Sequence, residues 1–401
     1  MYNSILYAIL TCSHQYEEDK MKDYFPLKLA QDGSFYNRKS ELAFLRSNIE
    51  KCRHTVLVSP RRYGKSSLVY KVAATLKLPF ASVDFFLAHD DQTIARRIMR
   101  GVAEAVTQIV PANEKVLISL QKIFRNFKIT LSAGCFNVEI SYDRGTLDPI
   151  EQIFNALQSL AKLAKEKNKL VLFFIDEFQD IANASSSKSI QGAIRHVAQE
   201  TSDIIFMFSG GNRHLLLELF DDKSMPLYML CDKLNLQRMS SKDYLPHIQK
   251  AAVEKWKHEI PRQTFEHIMS CAELHPFYVN MLCNELWSLD TLPCFDNVID
   301  AWYRCFETEE RRLVSELEKL TTNQQDLLKS IAINPVIEPT GQKFLATTGM
   351  AYSSIRQTIK SLTEKDILYR VQDEDEAVSN LKRGQIRVLD PLLAFALRKY
   401  Q

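Results

Sequence analysis

The chain has 401 residues, 46% hydrophobic and 25% charged, a globular composition long enough for two or three domains. Its 51 Lys and Arg nearly cancel 49 Asp and Glu, leaving a formal net charge of +2, so no global field argues for nucleic acid or an anionic membrane as partner.

The longest N-terminal apolar run, Ile5 to Leu10, is too short to cross a bilayer, and acidic residues soon follow it. No signal peptide and no membrane partner are expected, and the protein reads as cytoplasmic. Residues 1–24 read as a tail in which Met21 offers a second start. The eight cysteines form no C-x-x-C pair. The even spacing of Cys283, Cys294 and Cys305 is too wide for the usual metal-ligand pairs, so reduced, mostly buried thiols are expected.

Strand and helix signals alternate from residue 30 to residue 220. The Val-rich run His54 to Ser59 predicts a short strand, and a helical pattern follows from Lys65 to Leu76. Phe80 to Phe85 predicts the next strand and Thr93 to Ile109 an amphipathic helix. Lys169 to Glu177 is the most hydrophobic strand, and Asp203 to Gly210 is another. Continuous apolar strands between helices argue for a mostly parallel sheet covered on both faces. The alternation in FKITLSAGCFNVEISYD, around Gly134, predicts an inserted antiparallel hairpin at about 126–145. Lys162 to Lys169 reads as the exposed end of a helix rather than a basic patch.

From about residue 240 strand signals fade. Helical stretches follow, punctuated by Pro246, Pro261, Pro276 and Pro293. A helix over about 296–319 carries the charged, solvated stretch ETEERRL. The remainder reads as a separate small domain. Thr322 with Gln325 has the spacing of a capping box, a second helix starts near Ser353 or Ser354, and YRVQDEDE with GQIRVLD predicts a two-stranded wing.

Two motifs carry chemistry. SPRRYGKSSL, Ser59 to Leu68, lies between a strand and a helix and matches the phosphate-binding pattern G-x-x-x-x-G-K-[ST] at Gly64, Lys65 and Ser66, with Ser59 in place of the first glycine. Such a loop aims backbone N–H groups at phosphate oxygens. Lys65 reaches the β- and γ-phosphates and the Ser66 hydroxyl ligates Mg²⁺. Because Ser tolerates a left-handed backbone less well than Gly, Ser59 is a departure. The second motif, LVLFFIDEFQD, runs an apolar strand into Asp176 and Glu177. A buried strand can deliver Asp176 to the Mg²⁺ shell while Glu177 polarises the attacking water.

With these residues in view, the chain from about Phe25 to its end resembles the archaeal-type ATPases, members of the STAND class and relatives of the AAA+ proteins. FYNRKSEL resembles the family's adenine-covering box: Phe35, Tyr36, Arg38 and Glu41 fit, and Asn37 stands where Gly is usual. PRRYGKSSL, with Arg62, Tyr63 and Ser67, and IDEFQ resemble the family's phosphate loop and acidic strand end. FMFSGGNRHLLLELFDD resembles the sensor strand and its helix. The resemblance implies a polar residue near the γ-phosphate there, Ser209 by strand position or Asn212, and Arg213 is either a phosphate contact or a solvated helix cap. LHPFYVNMLCNELW resembles the family's Gly-His-Pro opening of a lid helix, with His275 and Pro276 matching and Leu274 in place of Gly. The C-terminal segment resembles a closing winged helix, in which Arg356, Lys360 and Lys365 lie on or beside the recognition helix and Lys382, Arg383 and Arg387 in the wing.

The resulting expectation is an α/β P-loop ATPase with a mostly parallel sheet, then an all-α lid and a winged-helix domain: tail 1–24, core 25–235, lid 236–319 and winged helix 320–401. It would bind ATP with Mg²⁺ and hydrolyse it slowly as a nucleotide-dependent switch. Phe35, Tyr36, Arg38, Arg62, Tyr63, Gly64, Lys65, Ser66, Ser67, His275 and Pro276 would hold nucleotide; Ser66 and Asp176 would hold the metal; Glu177, Lys65 and Ser209 would serve catalysis. Two alternatives stand beside it: a nucleotide-gated DNA-binding protein, and an interaction scaffold whose ATP site is degenerate at Ser59, Asn37 and Leu274. DNA is not favoured, because the acidic QDEDE in the wing repels phosphate. A protein partner and a nucleotide-dependent homo-oligomer are the other expected associations.

Overall fold

The computed structural model describes residues 23–110, 127–132, 137–142 and 148–399, except 31, 376 and 379. The expectations for Ile5 to Leu10, for Met21 and for Gly134 in the hairpin lie outside the described residues.

Helix α1 (Lys39–Glu50) precedes strand β1 (Thr55–Val58), which feeds helix α2 (Lys65–Leu76). Strand β2 (Phe80–Asp84) and helix α3 (Asp91–Ile109) follow, then the antiparallel pair β3 (Phe127–Ser132) and β4 (Asn137–Tyr142). Helix α4 (Pro149–Glu166) leads to β5 (Val171–Asp176), α5 (Ser187–Glu200), β6 (Ile204–Gly210), α6 (Arg213–Asp221) and β7 (Asp232–Asn235). Five of these strands form one parallel sheet in the order β2-β5-β6-β1-β7. The expected strands are all present. The edge strand β7 was not anticipated, because DKLN contributes only Leu234 to the core.

Side chains alternate across the sheet as strand geometry requires. Leu57, Leu172, Phe174, Ile205 and Met207 pack with Leu45, Leu68 and Val72 of α1 and α2. On the opposite face Val56, Phe173, Ile175, Phe206 and Phe208 pack with residues of α3, α4, α5 and α6. Both faces are therefore dry, which is why β1, β5 and β6 read as unbroken apolar runs.

The second half is helical: α7 (Ser241–Trp256), α8 (Arg262–Ala272), α9 (Pro276–Leu286) and α10 (Phe295–Glu318). Pro261 caps α8 and Pro276 opens α9, where a missing N–H costs little. Pro246, expected to punctuate, instead lies inside α7. It removes one amide donor, and the Ser240–Asp243 capping box and the buried Tyr244, Ile248 and Ala251 hold the helix through it.

The winged helix comprises α11 (Thr322–Ile333), α12 (Gln342–Thr348), α13 (Tyr352–Glu364), the antiparallel strands β8 (Leu368–Arg370) and β9 (Ile386–Val388), and α14 (Pro391–Lys399). Its capping box is Thr321 with Gln324, one residue before the expected pair. TTNQQ fits either register, and the one adopted turns Leu327, Leu328 and Ile331 inward. Ser353 and Ser354 lie in the first turn of α13 behind Ala351, the cap position. The lid and the winged helix share one core: Tyr244, Ile268, Trp302 and Phe306 pack in the same cluster as Leu328, Leu368, Leu392 and Leu393, and Phe25 joins them. ETEERRL is accordingly less solvated than expected. Leu313 is buried, and Arg312 pairs with Asp390 at 3.0 Å and Glu316 at 2.8 Å. Among the described residues no helix is long and apolar enough to cross a membrane.

Gly101 of α3 faces Val83 and Phe173, so a Cβ there would lie 2.4 Å from the Val83 side chain and 3.0 Å from the Phe173 ring. Gly101→Ala is expected to destabilise the protein by about 1–3 kcal/mol through overpacking, read as a lower urea midpoint at unchanged slope.

Candidate functional site

The site lies at the carboxyl ends of the strands, where parallel sheets present ligand crevices. After β1 the chain turns through Ser59–Gly64 into α2. The left-handed positions are Arg62 (φ 65°) and Gly64 (φ 85°). Ser59 is not among them, so its replacement of glycine carries no backbone strain there. Gly64 is the N-cap of α2, and a helix start of this kind leaves its first amides without partners inside the helix.

Lys65 is buried and its Nζ donates to the carbonyls of Ser59 at 3.1 Å and Pro60 at 3.0 Å. Burial lowers its pKa, opposed by the carboxylates of Asp176, Glu177 and Asp366. The Ser66 hydroxyl donates to Asp176 Oδ2 at 2.6 Å. Ser209, fully buried on β6, donates from its hydroxyl to Asp176 Oδ1, which also accepts from the Glu177 amide at 3.0 Å. Asp176 is thus fixed between the helix start and the neighbouring strand. Glu177 has a left-handed backbone (φ 48°). Its Oε2 accepts from Gln179 Nε2 at 2.7 Å and from the Gly211 amide at 3.1 Å.

A cleft of about 690 Å³ opens above these groups. Phe35, Tyr36, Arg38, Arg62, Tyr63, Gly64, Lys65, Ser66, Ser67, Asp176, Glu177 and Pro276 all line it. Asn37 (φ 57°) and Arg38 (φ 62°) are left-handed, the backbone that Asn accepts more readily than most residues. Arg38 pairs with Glu41 at 2.7 Å and donates to the Tyr63 carbonyl at 3.3 Å, tying this segment to the phosphate loop. Tyr36 stacks on His247 at 3.9 Å and donates to Asn280 Oδ1 at 2.7 Å, so the lid grips one wall. The Ser67 hydroxyl is engaged by the Ala30 amide at 3.1 Å.

Three residues sit elsewhere than the sequence suggested. His275 lines a second cleft, of about 710 Å³, beyond Arg61 and Arg62, and meets Tyr63 edge-on at 4.8 Å. Just before it Glu273 (φ 47°) and Leu274 (φ 60°) are left-handed, which explains a preference for glycine there; burial of Leu274 in the lid core offsets the strain. Arg213 contacts neither solvent alone nor the phosphate side: its Nε donates to Asp366 Oδ1 at 2.7 Å in the winged helix, while Asn212 caps α6 through the Leu215 amide. Arg387 is buried and paired with Glu273 at 2.7 Å, so it is not a wing residue free to hold a phosphate. Lys360, by contrast, is exposed, with Glu364 at 3.7 Å.

Sequence reasoning missed Asp84, Gln179 and Arg238. Asp84 pairs in register with Asp176, lines the cleft, and has its pKa raised chiefly by burial; an acid ending a second strand beside the first was the available signal. Arg238 donates to the carbonyls of Glu273 at 2.6 Å and Leu389 at 2.7 Å and lies 4.1 Å from the Tyr369 ring centre, joining lid to wing. Among the described residues no group of three or more His, Cys, Asp or Glu could hold a metal ion; Cys283 and Cys305 are buried, whereas Cys52 and Cys294 are exposed.

The family model for a probable winged helix domain matches residues 313–396. The fold is similar to that of a Walker-type ATPase of Pyrococcus abyssi, at 17% identity and TM-score 0.65, covering 94% of this chain and 99% of that one. It is also similar to the Aeropyrum pernix ORC2 protein, at 15% identity and TM-score 0.57, covering 95% and 96%. The chain has a P-loop ATPase fold closed by a winged helix. No curated protein matches it in sequence.

Within this ATPase fold two buried histidines make stability pH-dependent. Burial lowers the pKa of His54, and burial followed by Arg238 and Arg62 lowers that of His275 well below 6.5. Below about pH 6.5 the unfolded chain takes up protons that the folded chain refuses, so stability falls as pH drops. The urea midpoint is expected to be lower at pH 5.5 than at pH 7.5, and His275→Gln is expected to flatten that dependence.

Proposed function

We propose that this chain binds MgATP in the 690 Å³ cleft and hydrolyses it slowly, as a nucleotide-dependent switch of the STAND or AAA+ kind. The observation that carries the reading is the 2.6 Å contact between Ser66 and Asp176, which brings a hydroxyl and a carboxylate together at the phosphate loop. Both are hard oxygen donors of the kind Mg²⁺ takes, with Asp84 in register beside them, so the residues present fit that ion. When bound, Mg²⁺ neutralises phosphate charge.

The chain's own groups supply the rest. Gly64 and the first amides of α2 cradle the phosphates. Lys65, held by two carbonyls, turns to them and regains a full counter-charge. Phe35, Tyr36 and the lid residue Pro276 form the wall against which the adenine would lie. Glu177 is the group to orient the attacking water, and Ser209 holds Asp176 in place. The ORC2 neighbour was solved as ADPNP and ADP complexes, which agrees with nucleotide as the ligand. The winged helix is proposed to answer to a protein partner rather than DNA, since Arg387 is spent on Glu273.

Lys65→Ala is expected to weaken binding of a fluorescent ATP analogue by about tenfold or more. Glu177→Gln is expected to keep binding and lose about a hundredfold in phosphate release. Equal phosphate release in wild type and Glu177→Gln would leave only a scaffold.

A further inference from the structure

The second cleft, of about 710 Å³, is as large as the first and shares only Arg61 and Arg62 with it among the described residues. Pro60 faces it, whereas Gly64 to Ser67 face the first. Helix α9 and its cap divide in the same way: His275 and Tyr278 line the second cleft, Pro276, Phe277 and Asn280 the first. The ATPase core, the lid and the winged helix each contribute a wall. The proposed hydrolysis makes no use of this space.

Its charges do not balance. The acids that line it are already engaged: Asp390 and Glu316 pair with Arg312 at 3.0 and 2.8 Å, and Asp366 Oδ1 accepts from Arg213 Nε at 2.7 Å. Four cations are left over. Arg61 Nη2 stands 3.9 Å from Glu177 Oε2 and Arg62 Nη1 3.9 Å from Glu309 Oε2, both beyond hydrogen-bond reach. Lys319, at the end of α10, and Lys365, at the end of α13, are exposed, and neither side chain has an ion pair or hydrogen bond among the described residues. Like charges gathered on one concave wall repel each other, and such a cleft concentrates anions.

The rest of the lining narrows the kind of anion. His275 is 3% exposed and its Nδ1 has no hydrogen-bond partner among the described residues. Burial, then Arg238 and Arg62, keep its ring neutral, so it offers a ligand a hydrogen bond rather than a charge. A buried polar atom without a partner is costly, and a ligand that met it would remove that cost. Leu320, Leu389 and Leu393 add an apolar floor. The volume lies in the range of small-molecule sites.

We propose that this cleft binds a small phosphate ester, with its phosphate held by Arg61, Arg62, Lys319 and Lys365, its organic body set against Leu320, Leu389 and Leu393, and a polar atom of that body paired with His275 Nδ1. The two guanidinium groups suit a phosphate because they can each donate twice to it, and the two lysines add mobile point charges. The inference stands apart from the proposed hydrolysis, since neither Lys65 nor Asp176 takes part.

Pyridoxal 5′-phosphate is the probe, because it carries a phosphate on an aromatic ring. Its aldehyde condenses with a nearby lysine amine and releases water, and borohydride then reduces the imine to a stable amine that peptide mass spectrometry maps. In the full chain Lys319 or Lys365 is expected to label on the order of tenfold faster than the exposed Lys360. Phenyl phosphate is expected to suppress that labelling. Arg61→Gln, a change at an exposed side chain, is expected to lower it several-fold and leave Lys360 unchanged. Label on Lys65 reports the first cleft and is read separately, so failure of the ATPase reading leaves this test standing. Equal rates at Lys319, Lys365 and Lys360 overturn the proposal, as does labelling indifferent to Arg61→Gln or to phenyl phosphate. Protection by an acidic peptide but not by phenyl phosphate also overturns it, and assigns the cleft to a protein partner.

Discussion

The structure turns on one carboxylate. Asp176, at the end of the most apolar strand, accepts hydrogen bonds from Ser66 on the phosphate-loop helix, from Ser209 on the neighbouring strand and from the amide of Glu177. A half-buried charge is held by such donors, and satisfying it fixes three segments relative to each other. The serine hydroxyl that answers the carboxylate is the group that, on the proposed reading, would share a cation with it, so that reading needs no new segment to be brought into place.

Around that centre the lid and winged helix behave as one body. Their common core includes Tyr244, Trp302, Leu328 and Leu392. A chain of charges crosses the seam to the ATPase core. Tyr63 of the phosphate loop meets Arg238, which reaches Glu273, which pairs with Arg387 of the wing. Arg62 stacks on Phe277 at 4.2 Å, and Arg312 joins Asp390. Buried ion pairs add little net stability, yet leaving one partner alone is costly. The seam therefore favours a few defined arrangements over continuous sliding.

Much of this was legible in the sequence, for local reasons. Ser59–Leu68 and Leu170–Asp180 carry their chemistry in consecutive residues, so the loop, the helix from Lys65 to Leu76 and the acid at a strand end could be read directly. The wing strands and most helices follow from periodicity. What the sequence withheld depends on distant pairing. DKLN becomes a strand only beside β1. Arg213 and Arg387 look like surface cations until Asp366 and Glu273 are brought to them. Ser59 looked strained by analogy with glycine, whereas the left-handed positions of the loop lie at Arg62 and Gly64. Gln179 sits inside the acidic motif, and only the fold shows that its amide faces Glu177.

The most direct measurement is a double-mutant cycle on ATP affinity with Mg²⁺ and with EDTA, using Ser66→Ala and Asp176→Asn. If the two side chains share one ion, each single change removes the Mg²⁺-dependent part of the affinity, the double change removes no more, and binding in EDTA is unaltered. Mg²⁺ dependence that survives both changes, or losses that simply add, would contradict the account.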